Sequence, residues 1–147
     1  MKIIMAFVNL VGLLFWRSPL KMWYVLDDDI HELFKDVPMV TVSLADYEYA
    51  VTDLSGYKKA ISTIVPTMTP YKKDYHDCDD FADYLKGRVA NDYGINGCLR
   101  ATGRSNTGAA HAFNVVIYMD EGVLKWAVVE PQTGAFVDNY DVQAIRG

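Results

Sequence analysis

Apolar residues recur at four-residue spacing through Phe81, Leu85 and Val89, with Tyr84 beside them. That period predicts a helix over residues 78–91 with one apolar stripe. Asp77 suits its N-cap, Asp79 and Asp80 suit its first turn, and Gly94 lies where the chain must leave the helix. A second pattern follows. Residues 111–119 and 123–129 are rich in Val, Ile, Phe and Tyr, with Asp120-Glu121-Gly122 between them, which predicts a β-hairpin. Residues 98–102 read as a further strand, and Gly103 to Gly108 as a loop.

Upstream the pattern is helical. Residues 27–35 form a short amphipathic stretch with Ile30, Leu33 and Phe34 on one side. Residues 39–42 read as extended. Ser43 opens a helical stretch to Thr52, and Ser55 caps another that Pro66 stops. Residues 3–16 are mostly apolar after Lys2. The run is shorter than the roughly 20 residues that span a bilayer. It is expected to form a helix packed in the fold or against a protein partner, with an export role or membrane contact as the other reading.

Composition narrows the function classes. The 147 residues carry a net charge of −5 and are 51% hydrophobic, which fits one folded domain over 1–147. No basic face suggests nucleic acid as a partner. Two cysteines, Cys78 and Cys98, make no disulfide framework, and no zinc spacing is present.

The hairpin arithmetic supplies the chemistry. A two-residue loop of Asp120 and Glu121 sets His111 opposite Glu130. A three-residue loop sets it opposite Pro131, and a loop of Glu121 and Gly122 sets it opposite Gln132. Each register brings His111 to the Glu-Pro-Gln segment, within reach of an imidazole–carboxylate hydrogen bond. In the first register His111, Phe113, Val115 and Ile117 share a face with Leu124, Trp126, Val128 and Glu130. Packing Phe81, Leu85 and Val89 on that face would deliver Cys78 to the same end. At a helix N-terminus the positive end of the dipole lowers a thiol's pKa, and free N–H groups suit an oxyanion. Asp79 and Asp80 oppose that effect.

Asp77-Cys78-Asp79-Asp80-Phe81, His111-Ala112-Phe113-Asn114 and Glu130-Pro131-Gln132 together resemble the papain-like cysteine protease superfamily. The likeness covers roughly residues 65–140. It is nearest to the protease domain at the C-terminus of a Marasmius mushroom agglutinin and to small phage and bacterial proteins with the same three motifs. The resemblance implies an α+β fold in a papain-like arrangement, with a helical N-terminal half and the nucleophile helix packed on a small antiparallel sheet. It implies a cysteine hydrolase or acyl transferase acting on a peptide or isopeptide bond of a peptide or protein substrate. Cys78 would be the nucleophile, His111 the general base and Glu130 the orienting acid. No cofactor is required, but the resemblance implies Ca²⁺ at Asp79, Asp80 and Gln132, an all-oxygen set. An intracellular or phage-associated setting suits a reduced thiol. The Gln that papain-like enzymes place before the nucleophile is missing here. The alternative is a non-catalytic, phage-type structural or inhibitory module on a hydrolase scaffold.

Overall fold

Strand β5 (Ala110–Asp120) is buried along most of its length, and the rest of the chain is arranged to cover its two faces. The structure is a computed structural model that describes residues 20–147. The apolar segment 3–16 lies outside the described residues.

The chain runs β1 (Trp23–Leu26), α1 (Asp27–Phe34), β2 (Thr41–Ser43), β3 (Glu48–Val51) and α2 (Leu54–Ile64). Then come α3 (Cys78–Tyr93), β4 (Cys98–Arg104), β5, β6 (Val123–Glu130), β7 (Ala135–Val137) and β8 (Asp141–Arg146). Six strands form one mixed sheet in the order β2-β8-β4-β5-β6-β7, and β1 pairs with β3 in a small antiparallel sheet. The pairing of β2 with β8 is parallel. No helix among the described residues is long and apolar enough to cross a membrane.

The expected fold needs correction at two points. Among the described residues the N-terminal half is mixed and not a helical half: β1, β2 and β3 lie there with α1 and α2. The expected helix beginning at Ser43 is instead the turn into β3, where Tyr49 and Val51 are fully buried. The sheet is neither small nor purely antiparallel. A sheet-dominated fold, with three α-helices among the described residues, replaces the papain-like α+β arrangement.

Side chains alternate across β5, and the alternation sorts the core. Phe113, Val115 and Ile117 meet Ile30 and Phe34 of α1 and Trp23 of β1. Val116 lies with Leu85 and Val89 of α3 and with Tyr57 and Ile61 of α2. Thus α3 packs on the face opposite to Phe113. The expectation that Phe81, Leu85 and Val89 would cover the His111 face is corrected. That stripe is correctly read as apolar, but the other sheet face receives it.

Asn114 fastens this layer. It is fully buried, and its Nδ2 donates to Ala82 O on α3 at 2.9 Å and to Leu99 O on β4 at 3.2 Å. Helix α3 ends at Gly94, whose φ of 68° suits a residue without Cβ. Replacing Asn114 by Leu removes its bond to α3 and its bond to the neighbouring strand β4. The expected loss is about 1–3 kcal/mol of unfolding free energy, read as a lower urea midpoint.

Candidate functional site

The β5–β6 turn is built from Glu121 and Gly122, with φ of 47° and 82°. Two positive φ values match the twist of a tight hairpin. Asp120 pairs with Val123 and Asn114 with Val129, which is the third of the registers open to the sequence. Continued outward, it sets Phe113 opposite Glu130. A shift of two residues leaves every side chain on its expected face. His111 and Glu130 therefore meet on the diagonal.

His111 Nε2 lies 2.6 Å from Glu130 Oε2. Their side chains are 16% and 13% exposed, so water screens the contact little. Glu130 has two further donors. The Tyr140 hydroxyl donates to Oε2 at 2.9 Å, and the Gln132 backbone N–H donates to Oε1 at 3.1 Å. The Tyr140 ring stands edge-on to His111 at 5.5 Å and to Phe113 at 5.3 Å. Burial, followed by the carboxylate of Glu130, pushes the Tyr140 phenol up to about 12. With Nε2 committed to Glu130, the imidazole is fixed in orientation and its Nδ1 edge is left for another partner. Tyr140 escaped the sequence reading because it lies beyond β7, outside the three motifs. Its only signal was its place shortly before a β-rich end segment.

Cys78 opens α3 and is partly buried. Its sulfur and the carboxylates of Asp77 and Asp79 lie within 4.8 Å of one another. Asp77 and Asp79 share a hydrogen bond that raises the first carboxyl and lowers the second. Asp80 accepts from the Asp77 N–H at 3.2 Å, as a capping residue does. Among the described residues no hydrogen bond joins Cys78 to His111. The structure thus brings His111 and Glu130 together and sets Cys78 at the start of the helix behind the sheet. Of the residues expected to hold Ca²⁺, Asp79 also faces Arg100 at 3.7 Å, Asp80 serves the cap, and Gln132 touches Glu130 through its backbone.

The second thiol is inert by placement. Cys98 is fully buried on β4, and burial pushes its thiol up to about 12.

No protein-family model and no curated protein matches the chain. Solved structures do. One, described as the complex of PSL1a with E64, shares 25% identity over 85% of this chain at a TM-score of 0.64. Another is Polyporus squamosus lectin bound to the human-type influenza-binding epitope Neu5Acα2-6Galβ1-4GlcNAc, at 19% identity, 85% coverage and a TM-score of 0.65. Both are structures of a lectin. This chain spans about half of each, 53% and 51% of their lengths.

These matches correct the resemblance drawn from the three motifs. The neighbours are named as a lectin, and neither is named as a papain-like protease or a phage protein. The assignment to the papain-like superfamily is withdrawn on that finding. With it go the cysteine hydrolase or acyl transferase activity, the peptide substrate and the phage-type module. What remains of the motifs is their geometry.

Two outcomes follow from the placement of the thiols and of Tyr140. Limiting iodoacetamide on the folded chain should label Cys78, with Cys98 reacting only on unfolding; peptide mapping of the adducts reads this directly. Alkaline stability should also fall. Cys98 and Tyr140 ionise near 12 when folded, against ordinary values of 9.0 and 10.0. Between those limits the unfolded chain holds fewer protons, so stability decreases as pH rises through the window. Urea midpoints measured from pH 8.5 to about 11 should decline, and less steeply in Cys98→Ala.

Proposed function

We propose that this chain is a carbohydrate-binding domain of the kind that forms about half of the Polyporus squamosus lectin. The fold match over 85% of the chain, to a lectin solved with a sialylated epitope, carries the reading. The surface before α3 supports it. Tyr71 and Tyr75 are 54% and 78% exposed, and Lys72 sits over the Tyr75 ring. Exposed aromatic faces of this kind stack on the C–H face of a pyranose while neighbouring polar groups bind its hydroxyls. Calorimetric titration with Neu5Acα2-6Galβ1-4GlcNAc, and a glycan array beside it, tests the reading. Saturable binding, weakened by up to about tenfold in Tyr75→Ala, is the expected result. An array with no bound glycan would reject it.

A second reading belongs to Cys78, His111 and Glu130, and the hydrogen bond of His111 to Glu130 favours it. These residues form a reactive-thiol site. His111 would accept the Cys78 proton, and Glu130 would hold the imidazole. PSL1a is named in complex with E64, and an epoxide is a simple electrophile with which to probe this thiol. A thiolate attacks such a ring carbon, the C–O bond opens, and the oxygen takes a proton. The reading concerns that single covalent event. Intact-mass analysis after E64 treatment should show one adduct, mapped to Cys78 and slowed in His111→Ala; an unmodified chain rejects it. Unfolding temperatures measured with Ca²⁺ and with a chelator test Asp79, Asp80 and Gln132 as metal ligands, since a bound metal would raise the value.

A further inference from the structure

The α3 side of the main sheet is covered only in part. At its β2–β8–β4 end, strand register decides which side chains share the open face. Arg100 on β4 pairs directly with Arg146 on β8, and Thr102 with Ala144. On the other side of β8, Thr41 and Ser43 of β2 pair with Ala144 and Arg146. Directly paired residues point to the same face, so two guanidinium groups and three hydroxyls lie together. The alternate residues Val42, Ala101 and Ile145 belong to the core on the other side. A cavity of about 210 Å³ lies here, lined by Arg100, Ala101, Thr102, Ala144 and Arg146.

Two like charges directly opposed across strands cost stability unless something neutralises them. Two acids of α3 are spent on Arg100, and Asp141 of β8 pairs with Arg104 farther along the same strands. Arg100 Nη1 donates to Asp83 at 3.0 Å, and its Nη2 lies 3.7 Å from Asp79. Arg100 Nε is buried and has no acceptor. Arg146 is exposed, and the ion pairs described for this face all go to its neighbour. Arg146 and the Nε edge of Arg100 are thus left without an acidic partner beside the cavity.

We propose that this face is a binding site for the carboxylate of a ligand, held by Arg146 and the free edge of Arg100 with Thr102 and Ser43 beside them. A planar carboxylate matches the guanidinium fork, and two such forks with flanking hydroxyls can fill its lone pairs. The site stands apart from the His111–Glu130 pair, which lies on the opposite face, so it does not depend on either reading of that pair.

The test is a titration of the ¹⁵N-labelled chain with succinate at constant ionic strength, followed by NMR. The uncharged diamide of succinate and inorganic phosphate serve as the other arms. Saturable shifts confined to β2, β4 and β8 are expected with succinate, none with the diamide, and weakening of at least about tenfold in Arg146→Ala. Arg146 is exposed, so this variant should fold, and its unfolding temperature without ligand should hold or rise as the like-charge pair is lost. Shifts that do not saturate, that the diamide reproduces, or that survive Arg146→Ala would overturn the proposal. Binding of phosphate more tightly than succinate would replace the carboxylate by a phosphate ligand and overturn the class assigned here.

Discussion

Strand β5 has to be covered on both faces, and that requirement organises the molecule. Its run of Phe113, Val115, Val116 and Ile117 leaves none of the four side chains in water. Each contributes roughly 1.5–3 kcal/mol when fully buried, so neither face can be left open. One face is met by α1 and the β1–β3 pair, the other by α2 and α3. Asn114 is the fully buried polar residue of β5; its Nδ2 binds backbone carbonyls on α3 and β4 at once, while its Oδ1 is left without a partner. The position of Cys78 follows from this, because α3 is held at Ala82, one turn along from the thiol.

Local chemistry was legible in the sequence. Helix α3 starts after Asp77 and ends at Gly94 as capping residues dictate. The hairpin of β5 and β6 follows from its apolar runs and its turn, and the sharing of one face by His111 and Glu130 follows from parity. Parity survives a two-residue slip, whereas register does not. That is why the face was readable and the direct partner was not. The turn residues did contain the answer, since Gly122 at φ 82° marks the tight loop of Glu121 and Gly122.

What stayed hidden is non-local. Strand β8 pairs with β4 on one side and β2 on the other, and nothing in residues 141–146 announces partners so far apart in the chain. Residues 43–52 carry helix-compatible side chains, yet Tyr49 is fully buried and its hydroxyl accepts from the N–H groups of Ala45 and Asp46 at 3.1 Å. That tertiary context outweighs propensity there. The docking face of α3 was hidden for the same reason, because a stripe says that a helix is buried but not against what. The three motifs carried a family reading that the solved neighbours do not name, since motif order describes residue types and not what a whole protein binds.

The sheet itself limits how the site can be used. His111 and Glu130 belong to the α1 side, while the helix bearing Cys78 lies on the other. A ligand that touches the imidazole and the sulfur together has to lie across the end of β5, over the rim and not in a pocket within one layer. Tyr71 and Tyr75 are exposed on the loop that precedes α3. This chain spans about half of the lectin solved with the glycan, and the other half of that protein lies outside the match. A buried imidazole–carboxylate pair at a strand end is a feature of this half, and any account of what the domain binds must give that pair a partner.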